Sequence, residues 1–366
     1  MSKTQPLLQP YKNELELKNR IVMAPMTRSR ANNPEKKPTD DLHGIYYEQR
    51  TSAGLIITEG SQVSEQAVGY IHTPGIYTKQ QIEGWKMVTD RVHEKGGKIF
   101  IQLWHVGRIS HPDFHNGQLP LAPSAINPNY KSFTPEGFKD TVTPKEMSLD
   151  EIKQTIQDFR KAAKNAVKAG FDGIEIHSSN GYLFHQFFSK CSNIRSDEYG
   201  GSIQNRTRFF FEVLEAIKSE IPEGRIGVRF NPSLHGLAGI IVDEETIPTF
   251  DFIIKKLNDY NLAYVHLSEP FTDVSNVPYA VQNIAKHYRP LYKGTLMING
   301  SFTQDTGNVI IERGEADLVA FGKPFVSNPD LVERFTNNWP LTDWDADTFY
   351  TTGEKGYLDY SKYSEG

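Results

Sequence analysis

The stretch GFDGIEIHSSNGYLFHQFF, residues 170–188, joins a short apolar run to an abrupt cluster of polar side chains. Residues 170–176 read as a buried β-strand, Ile-rich and begun by glycine. His177, Asn180 and Tyr182 therefore emerge where that strand ends. In sheet-based enzymes the carboxyl ends of strands carry the chemistry. His177 and Asn180 can aim donors at one ligand oxygen while the Tyr182 phenol delivers a proton beside them. Reduction of a polarised double bond needs that combination. A histidine after a strand also serves as a satisfied structural residue, so the rest of the chain must decide.

Outward from this strand, similar runs recur at 21–25 (IVMAP), 54–60 (GLIITEG), 98–105 (KIFIQLWH) and 225–230 (RIGVRF). Three more follow at 263–268 (AYVHLS), 295–300 (TLMING) and 316–322 (ADLVAFG), making eight with 170–177. Several lack clean alternation, as parallel strands covered on both faces do. Helical patterns lie between them. Residues 149–168 carry Ile152, Ile156, Phe159, Ala163 and Ala166 at helical spacing, with Ser148 and Glu151 as a capping box and Gly170 as a stop. Segments 203–219 and 246–259 read alike. Eight strand–helix units predict a (β/α)8 TIM barrel, one domain over residues 1–366. An open doubly wound sheet is the alternative; even spacing and the lack of an early G-x-G-x-x-G argue against it. Residues 106–147, rich in Pro and Asn without periodicity, predict a lid or pocket wall inserted after strand three. A small hairpin around PLAPSAI and GFKDTVTP fits there.

Composition narrows the class. Hydrophobic content of 38% and charged content of 23% suit a globular protein, and a formal net charge of −5 without a basic cluster disfavours nucleic acid as a partner. Cys191 is the single cysteine, which excludes a disulfide framework and a multi-cysteine metal site. His105 and His111 make no metal set with nearby carboxylates, so no metal is expected. No apolar run of about 18 residues exists to span a membrane, and MSKTQPLLQPYKNELELKNR lacks the apolar core of a secretory signal. A cytoplasmic location is the resulting expectation.

Several strand ends carry further signals: NRIVMAPMTRSR at 19–30, EGSQVSEQAVGY at 59–70 and QLWHVGR at 102–108. HSSNGYLFHQFFS at 177–189 runs into SNIRSDEYGGSIQNRTRF at 192–209, followed by VRF at 228–230 and DLVAFGKPFVSNPDL at 317–331. In joint order and spacing these resemble the Old Yellow Enzyme family of flavin-dependent ene-reductases across nearly the whole chain. The resemblance implies FMN held non-covalently at the barrel mouth. Pro25, Met26 and Thr27 would meet the flavin after strand one, with the Thr27 hydroxyl near its O4; a related subfamily has Cys there. Gln102 and the backbone at Gly60 would face the pyrimidine edge, and Arg229 would stand near N1. Asn299, Gly300, Gly322 and Lys323 would receive the phosphate after the last two strands. His177 and Asn180 would bind the substrate oxygen and Tyr182 would protonate the α-carbon, with Tyr70, Trp104 and Tyr350 lining the pocket above.

By the same resemblance the reductant is NADPH or NADH, NADPH preferred, alternating with the oxidant in a ping-pong cycle. The oxidant would be an electrophilic alkene or nitro compound, and the protein a monomer or homodimer. This chain departs from the family at Lys323, where Arg is usual, at Gln204, where Glu is common, and in the 231–239 loop with His235. Asp197 and Glu198 read as structural salt-bridge or cap residues, and His185 and Cys191 as an ordinary packing residue and thiol. Reduction of nitrate esters, nitroaromatics or quinones is an alternative on the same scaffold, and a non-catalytic flavin sensor another. A flavin-free aldolase or isomerase would need an essential Lys or carboxylate at a strand end; Lys323 is the one such lysine, and it suits phosphate better.

Overall fold

Alternate residues of a strand face opposite ways, and this period sorts the apolar side chains into two cores. The computed structural model describes residues 5–12 and 15–364. Its barrel strands are β1 (Ile21–Met23), β2 (Leu55–Gln62), β3 (Ile99–Trp104), β4 (Gly173–His177), β5 (Ile226–Phe230), β6 (Tyr264–Ser268), β7 (Leu296–Asn299) and β8 (Leu318–Phe321). Each pairs in parallel with its sequence neighbours, and β1 pairs with β8 to close the barrel. The fold is the expected (β/α)8 TIM barrel.

Ile21, Ile56, Ile99, Ile174 and Val265 pack outward in one core with helix residues such as Phe159 and Phe210. Val22, Leu55, Ile57, Phe100, Tyr264, Met297 and Leu318 pack with one another inside the barrel, with Leu15 and Leu17 beside them. One inward position further along, the interior turns polar: Gln102, Glu175, Arg229 and His266 are all buried. An apolar floor thus carries a polar layer near the carboxyl ends.

The helix Leu149–Lys168 begins on the predicted capping box, Ser148 N donating to Glu151 Oε2 at 2.8 Å and Glu151 N to Ser148 Oγ at 3.2 Å. Helices Ile203–Lys218 and Thr246–Lys256 occupy the other two predicted segments. In the 106–147 segment the antiparallel pair is Lys131–Thr134 with Gly137–Asp140, one strand being nearer in sequence than expected. PLAPSAI contributes Leu121–Ala122, which pairs with Lys145–Glu146 instead. The tight turn is set by the Thr134 hydroxyl, which accepts from Glu136 N at 3.2 Å and donates to Gly137 O at 2.9 Å. Among the described residues no helix is long and apolar enough to cross a membrane.

Between β2 and β3 the register slips from Ile57 to Gly60, after which Gly60 stands opposite Gln102. A Cβ on Gly60 would lie 2.6 Å from Cε3 of Trp104. Gly60 therefore makes room for the Trp104 indole. Gly60→Ala is expected to displace that ring and lower stability by about 1–3 kcal/mol, read as an earlier thermal transition and altered tryptophan fluorescence.

Candidate active site

At the carboxyl ends of the strands a cavity of about 310 Å³ opens, within the range of small-molecule sites. Pro25, Met26 and Thr27 wall it after β1, Gln102 and Trp104 on β3, His177 at the end of β4, and Arg229 on β5. Asn180 and Tyr182 reach it from the loop after β4, Asn299 from β7, Gly322 and Lys323 from beyond β8, and Tyr350 from the carboxyl-terminal arm. Residues spread over more than 300 positions of sequence thus meet in one place.

The loop after β4 is built to present its side chains. Asn180 adopts a left-handed φ of 58°, which Asn tolerates better than most residues. Gln186 Nε2 donates to Gly181 O at 2.7 Å and Val106 O at 2.9 Å, tying the loop to the segment after β3. His185, expected to pack, sits edge-on to Phe250 and also accepts from Gly181 N at 3.3 Å.

Aromatic rings frame the polar groups. Trp104 stacks on Tyr70 at 5.2 Å and lies at 77° to Tyr182, centroids 5.1 Å apart. Tyr182 Oη donates to Tyr70 Oη at 3.1 Å. Burial, then the neighbouring Tyr70, pushes the Tyr182 pKa well above the ordinary phenol value. Burial also raises Tyr70, to about 12. His177 is held well below the usual histidine pKa, first by burial and then by the positive Arg229, so it is neutral. Its Nδ1 lies 3.0 Å from Ser179 Oγ.

Three buried polar atoms on the cavity's own residues lack any protein partner: Arg229 Nε, Trp104 Nε1 and Asn180 Oδ1. Buried polar groups are normally satisfied, so a cavity lined by such orphans is shaped for a polar ligand.

Three expected residues are not walls of the cavity. Gly60 is not a wall of this cavity, being covered by Trp104. Gly300 opens instead onto a neighbouring groove with Glu269 and Asp305, since the chain turns outward there with φ 137°. Tyr70 stands behind the wall, joined to it through Tyr182 and Trp104. Lys323 is exposed at the rim with Nζ over the Trp344 ring, 5.4 Å from its centroid.

Other wall residues were not anticipated: Ala24, Arg28, Val326 and Phe349. Arg28 is fully buried and donates to Phe349 O at 3.2 Å and Gly356 O at 2.7 Å. Arg30 adds bonds to Phe349 O at 2.8 Å and Lys355 O at 2.9 Å, so the TRSR run anchors the arm that carries Tyr350. Two arginines beside a strand end were the available signal. Asp197 chelates Arg195 (Oδ1 to Nε 3.0 Å), as a structural carboxylate would. His235, whose part was open, accepts from Val242 N at 3.2 Å and so braces its own loop.

The NADH:flavin oxidoreductase / NADH oxidase family matches residues 6–342. The chain belongs to that family. Within it, the chain is 42% identical over 363 residues to the putative 12-oxophytodienoate reductase 5 of Oryza sativa subsp. japonica, covering 97% of this chain and 94% of that protein. Morphinone reductase in complex with tetrahydroNAD superposes with a TM-score of 0.92 at 40% identity, over 99% of this chain and 98% of that one. The old yellow enzyme homologue from Zymomonas mobilis gives 0.91 at 38% identity, over 97% and 99%. The resemblance drawn from the strand-end motifs is therefore borne out, and this flavin oxidoreductase uses a reduced nicotinamide as electron source.

Proposed function

We propose that the cavity holds FMN and that the protein is an ene-reductase, reducing activated C=C bonds of α,β-unsaturated carbonyls and nitroalkenes with NAD(P)H. The observation that carries this is the joint placement of His177, Asn180, Tyr182 and a buried Arg229 whose Nε has no protein partner on one cavity. The residues present fit the cofactor. Arg229 would supply a fixed positive charge to the isoalloxazine, Gln102 and Thr27 would offer it polar atoms, and Lys323 with Asn299 would hold the phosphate. Bound FMN would supply two-electron transfer between nicotinamide and alkene.

The chain's own residues do the rest. His177 and Asn180 grip the substrate oxygen and draw electron density from the double bond. Ser179 Oγ lies 3.0 Å from Nδ1, and a neutral His177 that donates outward from Nε2 would accept the Ser179 hydroxyl there. Tyr182, protonated at every physiological pH, gives its proton to the α-carbon. Tyr70 can then reverse the 3.1 Å bond and donate to the phenolate left behind. Because one cavity serves both reductant and alkene, the two take turns in a ping-pong cycle. Similarity to 12-oxophytodienoate and morphinone reductases supports an enone substrate.

The test is the visible spectrum of the purified protein through an anaerobic cycle. A flavin spectrum that bleaches with NADPH or NADH and returns on adding 2-cyclohexenone is the expected result, and parallel runs rank the two nicotinamides. A colourless protein that takes up no FMN would overturn the reading. Lys323→Ala is expected to weaken FMN binding about tenfold, the scale of one charge-assisted phosphate contact. Quenching of flavin fluorescence during titration of the apoprotein measures it.

A further inference from the structure

Beneath the cavity floor lies a carboxylate that none of the assigned roles uses. Glu175 is fully buried on β4, two residues before His177, and so points into the barrel on the same side. Register places it opposite Gln102 on β3 and Gly227 on β5. Glu175 Oε1 accepts from Gln102 Nε2 at 2.7 Å, and Oε2 lies 2.8 Å from His266 Nδ1. His266 sits two strands away on β6, about 10 Å along the sheet. The space over Gly227, on the strand between, is taken by the Tyr264 ring, and His266 meets Glu175 one inward position further along β6.

Burial alone would favour a neutral acid. His266, Arg229 and Gln102 outweigh it, and Glu175 is held below the ordinary glutamate pKa as an anion. The consequence for Gln102 is directional. Its amide must turn Nε2 down toward Glu175, leaving Oε1 as the atom presented to the cavity. An unanchored glutamine could present either end.

We infer that Glu175 is a positioning residue for the cofactor: it locks the Gln102 amide with its acceptor toward the flavin edge and partly offsets the charge of Arg229. This rests on the FMN reading above. The first role sets FMN affinity, because a flipped amide would meet an N–H of the ring with its own N–H. The second sets the reduction potential, because a negative charge one inward position below Arg229 on the neighbouring strand opposes electron addition to the ring.

Three variants separate these roles, each reconstituted with FMN and checked for an unchanged fold by circular dichroism. Glu175→Gln is expected to weaken FMN binding about tenfold and to shift the ratio of reduced to oxidised affinity about tenfold, a rise of about 30 mV for a two-electron couple. Glu175→Asp, which keeps the charge but shortens the reach, is expected to weaken binding with little change in potential. In a Gln102→Leu background, Glu175→Gln should leave affinity unaltered while still raising the potential. A variant that is merely less well packed would lose affinity equally in both backgrounds, and that outcome would overturn the inference. So would a Glu175→Gln protein with parental affinity and potential. Should that variant not fold, Glu175→Asp with and without Gln102→Leu carries the affinity half of the test. Failure of the parent protein to bind FMN would count against the flavin reading instead.

Discussion

Replacing His177 and Asn180 together by alanine is expected to lower kcat/KM for an enone by about a thousandfold while leaving FMN bound. Removing one preorganised donor from a developing oxyanion typically costs about 10²–10³ in rate. The two donors here act on the same oxygen, so their losses should fall short of multiplying. FMN should remain, because Thr27, Gln102, Arg229 and Lys323 reach the cavity from other strands. A para-substituted phenol, whose phenolate mimics the polarised oxygen, should lose its affinity for the variant, as titration of the flavin spectrum would record. Unchanged phenol affinity would mean that the oxygen binds elsewhere.

Tyr182→Phe should divide the catalytic cycle. Reduction of the bound flavin by NADPH needs no proton from Tyr182, so its rate should stay within about twofold of the parent. Reoxidation by the enone should slow by about 10²–10⁴, the usual contribution of a positioned general acid. Stopped-flow traces of the two half-reactions make the comparison. Loss of both halves in equal measure would overturn the proton-donor role, and the edge-on contacts of Tyr182 with Trp104 and His177 would not explain it. The ring is retained in phenylalanine, so those contacts survive the change.

Much of this was readable along the chain because it depends on local pattern. The eight strands show as apolar runs, since strands buried on both faces need apolar residues at most positions outside the polar layer near their carboxyl ends. Helix Leu149–Lys168 could be delimited to the residue because a capping box and a glycine mark its ends. His177, Asn180 and Tyr182 were legible because they follow one strand and share one short loop. The 106–147 pairing was less so: its strands are two to four residues long, too short for periodicity to register, and a side-chain hydrogen bond sets the turn.

What the chain alone left open is what lies between strands. Gly60 suggested close backbone approach to a ligand, yet the close approach is to Trp104, a residue 44 positions away brought beside it by the β2–β3 register. Gly300 shares a motif with Asn299, but a single turn outward sends it to another groove. Glu175 was visible as a charge in a buried strand without any sign of its partners, which are 73 and 91 positions distant. Sequence determined which residues reach the carboxyl ends of the strands, because side-chain direction follows a period of two along each one. Closure of the barrel decided which of them touch, because strand register is a long-range quantity written in no single segment.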